Sequence, residues 1–215
     1  MNTSQTNPCF LRGIPMLGLL PFIAMFLSGC ASVGQSFDYS KAQKLELGQL
    51  QFSNYQSVFG KPNATAEQTD NDAKFETARY TYAYANLGSA NSRILVLEFK
   101  DGKLNAFVYL SSFDGEATPV PSDKVTQITK GVSTKADVQK ALGTPNGKAL
   151  CPSLLGDFKD RCKGNSEIWT WQSISSVSTF GAAYGGKGQN TMTLFVTFDA
   201  NGIVSGIESA TASNS

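Results

Sequence analysis

Four cysteines are the most reactive side chains of this 215-residue chain, and it contains no histidine at all. That removes the usual general base, the commonest metal ligand and every Ser-His or Cys-His nucleophile pair. Catalysis would have to run on carboxylates, lysines or tyrosines alone. Asp157, Lys159, Asp160, Arg161 and Lys163 crowd one segment, but such mixed charge reads as a solvated surface. Glycan chemistry needs two acids on converging elements, and no spacing here indicates such a pair. Gly181 to Gly188 nearly spells a phosphate-binding loop. Gly188, however, stands where a Ser or Thr must hold magnesium, and no helix is expected to follow. The stretch reads as a glycine-rich hairpin loop. The expectation is a protein without enzymatic activity, cofactor or metal.

Each cysteine then has a separate reading. Cys30 ends the run Leu27-Ser28-Gly29-Cys30, after an apolar stretch from Ile14 to Phe26 that only Arg12 precedes with charge. This arrangement resembles a bacterial lipoprotein signal with its lipobox. Pro15 and Pro21 interrupt the stretch, and it falls short of the about 20 apolar residues of a membrane span. An uncleaved anchor is the alternative. The resemblance implies cleavage before Cys30, which also removes Cys9, and acylation of Cys30. Each buried methylene contributes about 0.8 kcal/mol, so several acyl chains hold a protein at a membrane permanently. Ala31 at the next position, by the same resemblance, favours the outer membrane; the periplasmic face is the expectation, with the cell exterior as the alternative.

Cys151 and Cys162 remain. An exported chain meets an oxidising compartment, where a disulfide is the default. The alternative is a metal or redox pair, which the spacing, not C-x-x-C, does not favour. Loss of residues 1–29 removes Arg12 and no acid, so the formal charge of +1 falls to neutral. No nucleic-acid partner is expected of such a surface. An envelope protein partner fits it, since interfaces need no net charge.

The elements that would carry these residues repeat. Gly48, Phe59, Gly60, Pro62 and Asn63 match Gly131, Leu142, Gly143, Pro145 and Asn146 at one offset. Tyr80-Thr81-Tyr82 then matches Trp169-Thr170-Trp171, and Leu97 to Gly102 matches Val196 to Gly202. In the second copy Thr134 is a good N-cap with Asp137 as its capping-box partner. Val138, Ala141 and Leu142 give that helix one apolar face. Gly143 and Pro145 end it. Lys124 to Thr129 reads as a preceding helical turn. Glu167–Ser176, Thr191–Asp199 and Ile203–Ser209 read as strands, as do Phe75–Tyr84, Arg93–Lys100 and Lys103–Leu110. The predicted fold is α+β: two tandem modules, each a short helix or helix pair on a three-stranded antiparallel sheet. The boundaries would be a signal at 1–29, a lipidated tether at 30–40, modules at 41–112 and 124–210, and a linker at 113–123.

Gly-x-Ser-Thr-x-x-Asp-Val followed by Leu-Gly-x-Pro, from Gly131 to Pro145, resembles the helical signature of the SmpA/OmlA (BamE-like) outer-membrane lipoproteins. Trp169-Thr170-Trp171 and the turn from Phe198 to Gly202 agree with it. The first copy departs from the pattern, with Gln51 in place of the capping Thr and Asn54 in place of the Asp. The family's best-known member has one module and assists insertion of β-barrel proteins. Tandem copies of a similar module occur in the β-lactamase inhibitor proteins. The resemblance implies a non-catalytic scaffold in envelope assembly or maintenance. Inhibition of an envelope or extracellular enzyme is the alternative, and a glycan-acting enzyme the third reading. Tyr80 and Tyr82, like Trp169 and Trp171, sit at period two. They read either as core under the helix or as an exposed partner-binding face.

Metabolic labelling with palmitate should mark the chain, and Cys30→Ser should abolish the label and release the protein from the membrane fraction. An unlabelled chain that fractionates identically with and without Cys30 would refute the acylation.

Overall fold

A computed structural model describes residues 31–86, 89–116, 119–174 and 190–213. The signal segment, Cys30 and the Gly181–Gly188 loop lie outside them. The elements run β1 (Ala31–Gly34), α1 (Tyr39–Ala42), α2 (Tyr55–Phe59), β2 (Ala64–Asp70), β3 (Ala73–Asn86), β4 (Ser89–Lys100) and β5 (Lys103–Ser111). A 3-10 turn (Ser122–Gln127) leads to α3 (Lys135–Leu142), β6 (Gly147–Leu150), α4 (Gly156–Arg161), β7 (Glu167–Ile174), β8 (Asn190–Phe198) and β9 (Val204–Ser213).

The strands form one nine-stranded antiparallel sheet, ordered β1-β3-β4-β5-β6-β7-β8-β9, with β2 also on β3. This corrects the prediction of two separate three-stranded sheets. The six predicted strands are present, but β1, β2 and β6 were not foreseen. β6 is what joins the halves, pairing Ala106–Val108 of β5 on one side and Glu167–Thr170 of β7 on the other. A four-residue strand beside Pro145 carries too little period-two pattern to stand out in a sequence. Residues 31–42, read mostly as tether, are folded too. Val33 pairs with Ala83, and Phe37 and Tyr39 enter the first core.

α1, α2, the 3-10 turn and α3 lie on one face of the sheet. Phe107, Lys148, Trp169 and Val196 are directly opposite one another across four strands, so their side chains share that face. α1 and α2 cover Tyr80, Leu95, Leu97, Phe99 and Phe107. The 3-10 turn and α3 cover Trp169, Trp171, Leu194, Val196 and Phe198. Between the two clusters the Lys148 ammonium pairs with Glu46 at 2.7 Å and sits 5.2 Å from the Trp169 ring centre.

Local devices recur in both halves. α3 has the predicted capping box, with Thr134 and Asp137 exchanging side-chain bonds to each other's backbone N–H. α2 has no side-chain cap at Asn54, in keeping with the degraded first copy. Gly60 and Gly143 end their helices at φ +81° and +77°, a region costly for residues with a Cβ. The amides of Gly48 and Gly131 donate to Leu104 and Val204 carbonyls, both at 2.8 Å. Gln51 bridges Lys103 as Thr134 bridges Ile203. Asn63 Oδ1 accepts the Thr81 amide at 2.7 Å, and Asn146 Oδ1 accepts the Gln172 amide at 2.8 Å. The two asparagines therefore act as one-residue strands beside β3 and β7.

Asn146 is fully buried and also donates to the Gln172 carbonyl at 2.6 Å. Asn146→Ala leaves two partly buried backbone groups of Gln172 unpartnered and should cost about 2–4 kcal/mol in urea unfolding. Asn63→Ala, at an exposed site, should cost about 1 kcal/mol or less. Equal losses would contradict this division.

Candidate functional site

The opposite face of the sheet is covered differently. Its rows read Ile94, Val96, Glu98 on β4 and Leu110, Val108, Ala106 on β5, each pair in register. Ala149, Ile168 and Phe195 continue the face toward β8. Among the described residues, the segment from Cys151 to Cys162 supplies the cover. It contributes Phe158, Leu155 and both cysteines to this third apolar cluster. The Cys151–Cys162 disulfide is formed, with Cα atoms 5.3 Å apart, within the usual range.

Three sets of contacts hold this segment down. Phe158 is 2 % exposed and meets Phe195 edge-on at 6.3 Å. Asn105 Nδ2 donates to the carbonyls of Leu150 and Pro152 at 3.2 and 3.0 Å. The Leu154 amide donates to Glu98 Oε2 at 2.8 Å, while Asn105 Nδ2 donates to Glu98 Oε1 at 3.0 Å. Ser153 and Leu155 lie beside the same carboxylate and favour its charged form, with the Leu155 amide donating to Ser153 Oγ at 3.2 Å. Glu98 is 0 % exposed. Burial is the largest influence on it and raises its pKa, against the opposing pull of those hydrogen bonds. Arg161 stacks over Phe195 at 3.9 Å. Its Nε lies 3.1 Å from Glu208 Oε2, without the alignment of a hydrogen bond.

Beside this cover lies an apolar cleft of about 270 Å³. Ile94, Val96, Val108 and Leu110 form its floor, with Leu155 and Phe158 along one wall. The cleft exists because β6 is short. Above Gly147, among the described residues, no strand stands between β5 and β7, so Leu110 and Gln172 are left to border a gap. At Gly147 itself a Cβ would come within 2.5 Å of Thr170 Cγ2 and 2.9 Å of Val108 Cγ2, so the strands converge there.

Three of the four predicted partner-binding aromatics are core residues. Tyr80, Trp169 and Trp171 are 1 %, 6 % and 1 % exposed and lie under the helices. Their period-two spacing reflects the covered face, so the partner-binding reading of these three is replaced by packing. Tyr82 is half-buried and stacks on Phe113 at 6.0 Å. Arg93 lies 4.6 Å over the same Phe113 ring and is paired with Glu116. Asp157, Lys159, Asp160 and Lys163 are exposed as expected, while Arg161 is not. Among the described residues no group of His, Cys, Asp or Glu could hold a metal. No described helix is long and apolar enough to cross a membrane. The cleft itself was not foreseen. The signal for it was the nearly continuous apolar run Ile94-Leu-Val-Leu-Glu-Phe99, which marks a strand covered on both faces.

The fold and site define a mixed helix-and-sheet protein whose single antiparallel sheet carries α1, α2 and α3 on one face and α4 beside an apolar cleft on the other. No family model matches the chain, and no curated protein matches it. Among solved structures, one from Streptococcus mutans, described as a "putative beta-lactamase inhibitor protein", is similar at a TM-score of 0.45 and 12 % identity. That likeness covers 80 % of this chain and 93 % of the other.

Because folding raises the pKa of Glu98, its contribution to stability is fully present below the ordinary carboxylate range. It is lost as pH rises through the raised value. The stability gap between wild type and Glu98→Ala should therefore narrow from pH 4 to pH 7 in denaturant titrations. A gap that widens with pH would reverse the role assigned to burial.

Proposed function

We propose that this chain is a non-catalytic lipoprotein that binds an envelope protein partner through the cleft on the sheet face opposite α1, α2 and α3. The observation that carries the reading is the half-buried strip Ile94, Val96, Val108 and Leu110, which floors a cleft on the face opposite the helices. A cleft of this size suits one or two apolar or aromatic anchors from a partner, with the polar surroundings acting as the rim. The chain's lack of histidine supports a binding role over a catalytic one.

The lipobox-like run ending at Cys30 supports a tether to the outer membrane, facing the periplasm. The repeated glycine and asparagine devices support a tandem duplication of one SmpA/OmlA-like module. In this reading the duplication fused two sheets into one and created the cleft at their junction. Inhibition of an envelope or extracellular enzyme is the alternative outcome, with the same face engaging that enzyme.

Crosslinking on intact cells followed by mass spectrometry tests the proposal. A stable envelope partner should be recovered, with crosslinks mapping to β4 and β5. Ile94→Glu should reduce that recovery about tenfold or more, since an unpaired charge in the contact costs upward of 1.4 kcal/mol. Lys140→Glu, on the exposed side of α3, should leave it unchanged. Recovery of no partner, or equal recovery with Ile94→Glu, would remove the reading. Inhibition assays with β-lactamases and periplasmic hydrolases would separate an adaptor from an inhibitor.

A further inference from the structure

The Cys151–Cys162 segment differs from every other cover in this protein. The two cores on the helix face take no residue from it, so they stand without it. Its own anchorage is narrow: Phe158 and Leu155 on the sheet, Asn105 and Glu98 from the first half, Arg161 toward Glu208, and the disulfide. It also forms one wall of the apolar cleft.

We propose that residues 151–162 are a lid over the sheet surface next to the cleft, held shut by the Cys151–Cys162 disulfide and opened, so that the cleft is enlarged, when a dithiol reductant cleaves it. The inference rests on the cleft being the partner-binding site and concerns the control of that site. One thiolate of the dithiol attacks a cystine sulfur, forming a mixed disulfide and releasing the other cysteine as a thiolate. The second thiol of the reductant then displaces the mixed disulfide. The reductant leaves as a disulfide, and two electrons and two protons pass to the cysteine pair. Both cysteines are only partly buried, within reach of such a reagent.

Two physical effects make opening follow reduction. Cutting the crosslink frees the chain entropy that it had withheld from the open segment. The open segment also lets the Glu98 carboxylate regain water. Burial dominates the environment of that group, so closure forces a desolvation that the crosslink helps to maintain. Opening would join the cleft to Ala106, Ala149, Ile168 and Phe195, the surface now under Phe158.

Amide hydrogen exchange on the full chain, oxidised and after reduction, tests the lid. Exchange within 153–161 should accelerate roughly tenfold or more on reduction, while α3 and the centres of β4 and β8 keep their protection. Fluorescence of the apolar dye anilinonaphthalene sulfonate should rise in parallel, and reoxidation should reverse both changes. Cys151→Ser/Cys162→Ser should reproduce the reduced state without reductant. Unchanged exchange in 153–161, loss of protection throughout the sheet, or faster exchange without dye binding would each overturn the proposal. No partner enters these measurements. A missing partner therefore leaves the lid standing, and an unmoved lid leaves partner binding intact.

Discussion

β6 is hydrogen-bonded on both sides, to β5 through Ala106–Val108 and to β7 through Glu167–Thr170. Four residues thus carry the ladder from one half of the molecule to the other. Buried backbone groups must find partners, and at this seam β6 provides them. Its first residue has to be glycine, because Thr170 and Val108 occupy the space of a side chain. Where β6 ends, the ladder splits. Asn146 repairs the β7 side with its side-chain amide, and Tyr109 closes the β5 side through the Asn146 and Pro145 carbonyls. The cleft is what remains of the gap on the other face.

The same seam explains two ionisable groups in unusual places. Lys148 lies on the helix face, where neither helical layer reaches it fully, and its charge is met by Glu46 from the first half. Glu98 lies on the opposite face and is met by amides of the second half. Each half supplies the counter-group for the other's buried charge. A single-module chain would leave both groups in water. Their burial follows from joining the halves, and it makes the relative placement of the halves specific, since a shifted register would leave a charge unpaired.

Much of each half was legible in the chain. Thr134 and Asp137 announced α3, and its N-terminus is where they placed it. The alternation of Thr191 to Asp199 gave β8. The repeated glycines and asparagines gave equivalent turns, because each sits where only its own chemistry fits. The aromatic pairs were ambiguous, since period two states that a side chain shares a face and says nothing about which face is covered. The link between halves was not legible, nor were β1, β2 and α4. Short edge and joining strands are set by what lies beside them, and Ala64–Asp70 is exposed along nearly its whole length.

What the amino-acid order determined by itself was local: helix caps, turn positions, strand alternation, the pairing of Cys151 with Cys162, and the absence of histidine chemistry. Each depends on residues close together along the backbone or on composition. The tertiary structure alone decided that two short sheets are one, that three aromatics are core, and that Ile94, Val96, Val108 and Leu110 floor a cleft. Those outcomes depend on contacts between residues far apart in the chain, above all β5 with β6. Burial is a property of the neighbours a side chain acquires, and periodicity does not name them.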